Sequence, residues 1–372
     1  MTTAAGLFIG LMSGTSTDGV DGVLARIAPD GRPAVLAEAS LPMPDELRQT
    51  LLALNAPGPD ELERAALASL ALAECYADTV RQLLATAGVT NTEVLAIGAH
   101  GQTVRHRPDL GYTLQLNAPA LLAERTGIPV VADFRARDVA AGGQGAPLVP
   151  AFHAAIFGAD VPRAVLNLGG IANVTLLAPG RPVTGFDTGP ANMLLDEWCR
   201  RHTGQHYDDD GAFAAAGKVD TNILEYLLAS EPWLSKRPPK STGRDLFNAT
   251  WLDSRLNAWD GYCRLLTPQD IQATLQRFTA RTVAQAIDRE APDTREILVC
   301  GGGARNRGLM RDLAECLGRP VASTDAHGVP AQSMEALAFA WLACAHLNGV
   351  AAGLPTVTGA RGARVLGALY PA

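Results

Sequence analysis

Cysteine occurs, but never in the spacing that its chemistry needs. The six (Cys75, Cys199, Cys263, Cys300, Cys316 and Cys344) are scattered, with no C-x-x-C pair and no histidine at zinc spacing. Structural zinc is therefore not expected, and the thiols read as small buried hydrophobes in a reducing cytoplasm. Long apolar runs are missing too. The longest, residues 336–345, is far short of a bilayer span, so no membrane partner is expected. Residues 1–6 lack the basic start and apolar core of a signal peptide. No Lys/Arg-rich run is present and the formal net charge is −7, which argues against a nucleic-acid partner. Nothing matches the G-x-x-x-x-G-K-[ST] phosphate loop, and the acidic turn at 207–211 has too few ligands for an EF-hand.

What is present is a globular α/β pattern. A chain of 372 residues exceeds what one core usually supports, so two domains are expected. Hydrophobic content of 47% with 19% charged residues marks a folded, water-soluble chain.

Residues 7–21 organise the rest. Leu7 to Ile9 is a short, bulky run that predicts a buried strand, and the apolar pattern resumes at Val20, Val23 and Leu24. Between them lies Ser13-Gly14-Thr15-Ser16-Thr17-Asp18-Gly19, a turn rich in hydroxyls and small residues. Gly14 and Gly19 permit close approach to a ligand, and the hydroxyls suit phosphate oxygens. Asp18 suits that setting only if a divalent cation stands between it and the phosphate. An ordinary hairpin turn explains the same residues equally well.

Further along, residues 60–87 predict a long helix with Leu62, Ala66, Leu70, Ala73, Ala77, Val80 and Leu84 on its buried stripe. A strand at 94–98 runs into Ala99-His100-Gly101-Gln102-Thr103, polar groups where open α/β sheets place ligand contacts. The strand at 128–132 ends near Asp133, Arg135 and Asp138. Arg135 there either clamps an anion or pairs a neighbouring carboxylate. Residues 164–177 repeat the opening design, with Gly169 and Gly170 at the turn, which suggests a duplicated unit. A strand ending at Asp187, with Pro190 as the first helical residue, sets that carboxylate at a helix N-terminus. Kept ionised there, Asp187 is a candidate general base, or else a cap. Residues 296–306 run from strand to Gly301-Gly302-Gly303 to helix, the logic of a nucleotide platform, with Asn306 where a Rossmann fingerprint needs glycine. Glu335 lies near the start of a helix, as a cap-region acid or a site residue.

Six motifs together resemble the anhydro-N-acetylmuramic acid kinase family: GLMSGTSTDGVD (10–21), HGQTV (100–104), DVAAGGQGAPLVP (138–150), LNLGGIAN (166–173), FDTGPAN (186–192) and CGGGARN (300–306). They span nearly the whole chain in order. The one departure noted is Thr17, where leucine or methionine is commoner. The resemblance implies two actin-like (ribonuclease H-like) α/β domains, each on a mixed five-stranded sheet, around a central cleft. It implies a first domain at 1–137, rejoined by a tail at about 355–372, and a second at 138–354. It further implies an ATP- and Mg²⁺-dependent kinase (a phosphotransferase with an alcohol acceptor) in peptidoglycan recycling, cytoplasmic and homodimeric. Such an enzyme phosphorylates O6 of 1,6-anhydro-N-acetylmuramic acid while water opens the anhydro bridge.

Carried over residue by residue, Gly14, Thr15, Ser16, Thr17, Asp18, Gly19, Val20 and Asp21 form the ATP phosphate loop. Gly169 and Gly170 form a second phosphate turn, and Gly301, Gly302 and Gly303 lie against adenosine. Asp187 is the base. Gln102, Thr103, Arg135 and Asn192 meet the sugar, and Asp18 and Glu335 hold magnesium through water. The alternatives are a kinase of this fold for another sugar, or an actin-like ATP-dependent switch.

Overall fold

The computed structural model describes residues 4–14, 17, 19–158, 160–243, 246–259 and 266–372. The chain divides into two compact units, residues 1–156 with 333–372, and residues 157–332. These breaks differ from the expected 137/138 and 354/355, and the segments 138–156 and 333–354 both belong to the first unit.

In unit 1 the chain opens with strands β1 (Gly6–Met12), β2 (Gly19–Ile27) and β3 (Pro33–Pro42), followed by helices α1 (Asp45–Ala53) and α2 (Glu61–Ala87). Strands β4 (Val94–Ala99), β5 (Gln102–Arg107) and β6 (Tyr112–Leu116), helix α3 (Pro119–Thr126), strand β7 (Val130–Ala132) and helices α4 (Ala136–Ala140) and α5 (Val149–Phe157) follow. β1 forms because its apolar run is buried along nearly its whole length, and β3 alternates because one face is solvated.

Unit 2 contains strands β8 (Arg163–Leu168), β9 (Ile171–Leu177) and β10 (Thr184–Pro190), then helices α6 (Asn192–Thr203), α7 (Ala212–Ala215), α8 (Thr221–Ser230), α9 (Ala249–Ala258) and α10 (Pro268–Glu290). It closes with β11 (Glu296–Cys300), α11 (Arg307–Leu317) and β12 (Val321–Ser323). α10 starts sharply because Thr267 and Asp270 form a capping box around Pro268. The Asn306 side chain caps α11 by accepting from the Leu309 N–H. The chain then returns to unit 1 as α12 (Met334–Leu347), α13 (Pro355–Thr358) and β13 (Ala368–Tyr370).

The duplication read from the sequence is present in the topology. Unit 1 orders its sheet β3-β2-β1-β4-β7, and unit 2 orders its sheet β10-β9-β8-β11-β12. In both, the first three strands are antiparallel and the last two run parallel to the central one. Unit 1 has a sixth strand, since β13 pairs antiparallel with β7. A separate two-stranded ribbon, β5 with β6, follows His100.

Helix α12 belongs to unit 1 for a reason written in two glycines. A Cβ at Gly10 of β1 would lie 1.8 Å from the Ala336 carbonyl oxygen, and one at Gly98 of β4 would lie 2.1 Å from that of Phe339. The helix backbone therefore rests directly on the sheet, and only glycine leaves it room. The stripe expected on α2 is partly wrong. Its buried face begins at Ala68 and runs through Leu72, Ala73, Tyr76, Ala77, Val80 and Leu83, while Leu62 is 90% and Leu70 47% exposed.

Candidate active site

In unit 1 the candidate residues collect at the ends of β1 and β4. Ser13 follows β1 and Gln102 opens β5. Both are buried, and the Ser13 hydroxyl donates to Gln102 Oε1 at 2.5 Å. Gly14 accepts at its carbonyl from the Thr17 N–H at 3.1 Å, and Thr17 takes φ 52°. Thr15, Ser16 and Asp18 lie outside the described residues. Gly19, Val20 and Asp21 begin β2. The Val20 side chain is wholly buried in the core, so only its backbone is left to meet a ligand. Thr103 Oγ1 accepts from Gln115 Nε2 at 3.1 Å across the β5–β6 ribbon.

Arg135 is held by two partners that neither reading named. Its Nε donates to His100 Nε2 at 2.9 Å and one terminal nitrogen donates to the Gly145 carbonyl at 2.8 Å. Burial brings the guanidinium down to about 10, while Glu335 and Asp138 oppose that fall. The same bond makes His100 an acceptor at Nε2, and burial with the adjacent Arg135 holds the imidazole neutral. Glu335, in the first turn of α12, is raised by burial, lowered by Arg135 and raised by Asp21. Strand β2 and helix α12 thus bring two carboxylates near one another. Hard oxygen donors of this kind fit Mg²⁺ held through water. Among the described residues no group of three or more His, Cys, Asp or Glu forms a metal cage.

In unit 2 the Gly169–Gly170 turn joins β8 to β9. Its carbonyls accept the N–H groups of Ala191 (2.9 Å), Asn192 (3.0 Å) and Met193 (3.1 Å), which fastens the start of α6 to the turn. Neither glycine is demanded by the protein. A Cβ at Gly169 or Gly170 would meet nothing closer than 3.7 or 3.5 Å. A turn kept bare where the protein has room for side chains is a cradle for something else, and a phosphate fits it. Gly301 differs: at φ 81° a Cβ would lie 2.3 Å from Asn167 Oδ1 and 2.9 Å from the Leu168 carbonyl. Gly303 is similarly crowded, 2.6 Å from Leu168 Cβ, whereas Gly302 has only Asn192 Nδ2 at 3.5 Å. Asn192 is the first residue of α6 and donates from Nδ2 to the Leu168 carbonyl at 2.9 Å. One of the two hydrogens on its amide nitrogen is thereby engaged beside the glycine turns.

Asp187 is not at a helix N-terminus. β10 continues through it to Pro190, and α6 begins only at Asn192. The strand tolerates Pro190 because β10 is the edge of its sheet. Asp187 pairs with Asn173 of β9, and the register slips between Asp187 and Gly189, a bulge that re-aims the side chain. The cause expected for its ionisation is therefore replaced by another. Burial raises the carboxyl to about 6, while the Thr242 N–H, donating to Oδ2 at 2.8 Å, and the charge of Lys240 pull it down. A carboxylate poised there accepts protons far better near neutrality than one at the ordinary value. Lys240 and Thr242 were not legible as site residues, since a Pro-Pro-Lys-Ser-Thr loop 55 positions from Asp187 has no periodicity to tie it there.

Comparison with known proteins agrees with the motifs. A family model described as Anhydro-N-acetylmuramic acid kinase matches residues 6–372. A protein of that name from Bordetella petrii is 70% identical over 372 residues, covering 100% of this chain and 98% of its own. Another of that name from Bordetella pertussis is 72% identical over 367 residues, covering 98% of this chain and 96% of its own. Among solved structures, the activator of the 2-hydroxyisocaproyl-CoA dehydratase from Clostridium difficile aligns at a TM-score of 0.50 with 13% identity. That alignment covers 91% of this chain and 94% of that one. The likeness is one of fold alone, an actin-like α/β fold of two ribonuclease H-like units. On the family match and these identities, the chain belongs to the anhydro-N-acetylmuramic acid kinase family.

Proposed function

We propose that this chain catalyses the reaction for which its family is named, converting 1,6-anhydro-N-acetylmuramic acid, ATP and water into N-acetylmuramic acid 6-phosphate and ADP, with Asp187 as general base. The observation that carries this reading is the Asp187 carboxyl itself, raised to about 6 by burial and oriented through Oδ2 by the Thr242 N–H. Asp187 takes one proton from a water, and the water oxygen bonds to C1. The C1–O6 bond breaks with its electrons on O6. O6 then bonds to the γ-phosphorus as the bond to the ADP oxygen breaks. One deprotonation drives both ring opening and transfer, because O6 is a neutral ether oxygen until the bridge opens and leaves the bonding electrons on it.

The remaining roles follow the same reading. The Gly14 turn and the bare Gly169–Gly170 turn cradle phosphates with backbone amides, and Gly301 to Gly303 support the adenosine. Gln102 and Thr103 meet sugar hydroxyls, and Asn192 offers its amide oxygen. Arg135, held by His100 and Gly145, meets the lactyl carboxylate. Asp18 and Glu335 would hold Mg²⁺ through water, and the ion, when bound, supplies positive charge at the phosphates. The reading places the enzyme in peptidoglycan recycling as a cytoplasmic homodimer.

Turnover in ¹⁸O-water tests the proposal. Product quenched early, before exchange through the open-chain aldehyde, should carry one labelled oxygen at C1 and none at O6. An unlabelled C1 would contradict it.

A further inference from the structure

Lysine is rare in this chain. Lys218, Lys236 and Lys240 are the only three, so 28 of the 31 basic residues are arginine (31 − 3). One of the three is placed beside Asp187. Lys240 is only 9% exposed, with Nζ 4.2 Å from the centroid of the Trp233 ring and donating to the Leu234 carbonyl at 3.1 Å. The indole is fixed in turn, its Nε1 donating to the Ser241 carbonyl at 3.2 Å. The ammonium therefore pegs a closed loop over residues 233–241. That loop leads into a strap that touches Asp187 twice. The Asp187 N–H donates to the Lys240 carbonyl at 3.2 Å, and the Thr242 N–H donates to Asp187 Oδ2 at 2.8 Å.

We infer that Lys240 is a positioning residue for Asp187: its buried ammonium, seated on Trp233, both holds the 240–242 strap against β10 and favours the ionised carboxylate. The inference rests on Asp187 being the base of the reaction proposed above. The charged groups acting on Lys240 are Arg289, Asp187 and Glu290. Burial lowers the ammonium to about 8, Arg289 pushes the same way, and the two carboxylates oppose it. Lysine suits this place because its compact charge responds to burial and to one nearby carboxylate, whereas the arginine guanidinium stays protonated.

With only three lysines, ¹³C-dimethylated protein gives a few resolvable amine signals by NMR. One, absent from Lys240→Met, is expected to titrate near 8 and to move lower in Asp187→Asn, which removes a favourable charge. A Lys240 signal near 10.5, or one unmoved in Asp187→Asn, would overturn the inference. In kinetics, Lys240→Met should move the acid limb of kcat/KM up by about one pH unit, and Lys240→Arg should return it toward wild type. A limb that stays in place while kcat falls would leave Lys240 with a packing role only and contradict the inference. Near-normal turnover of Asp187→Asn would instead defeat the assignment of the base, whatever Lys240→Met does.

Discussion

Thr242 donates its main-chain N–H to Oδ2 of Asp187 at 2.8 Å, across 55 positions of sequence. The donor is backbone, so the carboxylate is oriented by the path of the chain rather than by a side chain. A charge-assisted bond to an amide also favours the ionised form, which is why burial lifts Asp187 to about 6 and no further.

The choice of substituent at 242 should therefore matter through the backbone. Thr242→Ala keeps the N–H and should leave the acid limb of the pH–rate profile in place. Thr242→Pro removes it, and the limb should move up by about one pH unit. Rate profiles of the two variants between pH 5 and 9 check this.

Burying Asp187 has a stability consequence with a definite sign. Its folded value of about 6 lies above the ordinary carboxyl value of 3.8, so the folded state holds this proton longer than the unfolded chain does. Below about pH 4 both states are protonated and no penalty exists. As pH rises toward 6 the unfolded state ionises first, and stability falls by up to about 3 kcal/mol, a loss that persists above pH 6. Asp187→Asn should thus be more stable than wild type at pH 8 and equal to it at pH 3.5, as read by urea unfolding at each pH.

The glycines of unit 2 should separate by role. Gly170→Ala finds room for its methyl group, so unfolding should shift by less than about 0.5 kcal/mol while the KM for ATP rises at least about tenfold. Gly301→Ala meets the Leu168 backbone at 2.9 Å with φ 81°, and should cost roughly 2–4 kcal/mol of stability. Denaturation curves paired with ATP saturation curves distinguish the two.

Gly98→Ala tests how α12 is seated in unit 1. Its methyl carbon would fall 2.1 Å from the Phe339 carbonyl oxygen, and neither backbone can step aside without moving a whole element. A loss of about 2–4 kcal/mol is expected. A neutral result would mean that the helix and β4 are less closely apposed.

Much of this arrangement was readable from local pattern. The β1–β2 and β8–β9 hairpins announce themselves as apolar runs around glycine turns, and that repeat suggests the duplicated unit whose two sheets share a strand order. What failed was whatever depended on distant partners. α2 has 27 residues and reaches roughly 40 Å, and its buried face begins only at Ala68, so Leu62 lies before that face, while Leu70, between buried Ala68 and Leu72, points away from it. Pro190 signals a helix start by rule, yet at a sheet edge it ends a strand equally well, and so the source of the Asp187 shift was misassigned. The docking of α12 against Gly10 and Gly98, and the approach of Lys240 and Thr242 to Asp187, leave no trace in periodicity.

The proposed reaction depends on proton removal at Asp187. Turnover of Asp187→Asn at pH 7.5, with ATP and the anhydrosugar saturating, is the most direct measurement. A fall of at least about 10²–10⁴-fold, with both ligands still bound, is expected. A rate near that of the unaltered protein would contradict the mechanism.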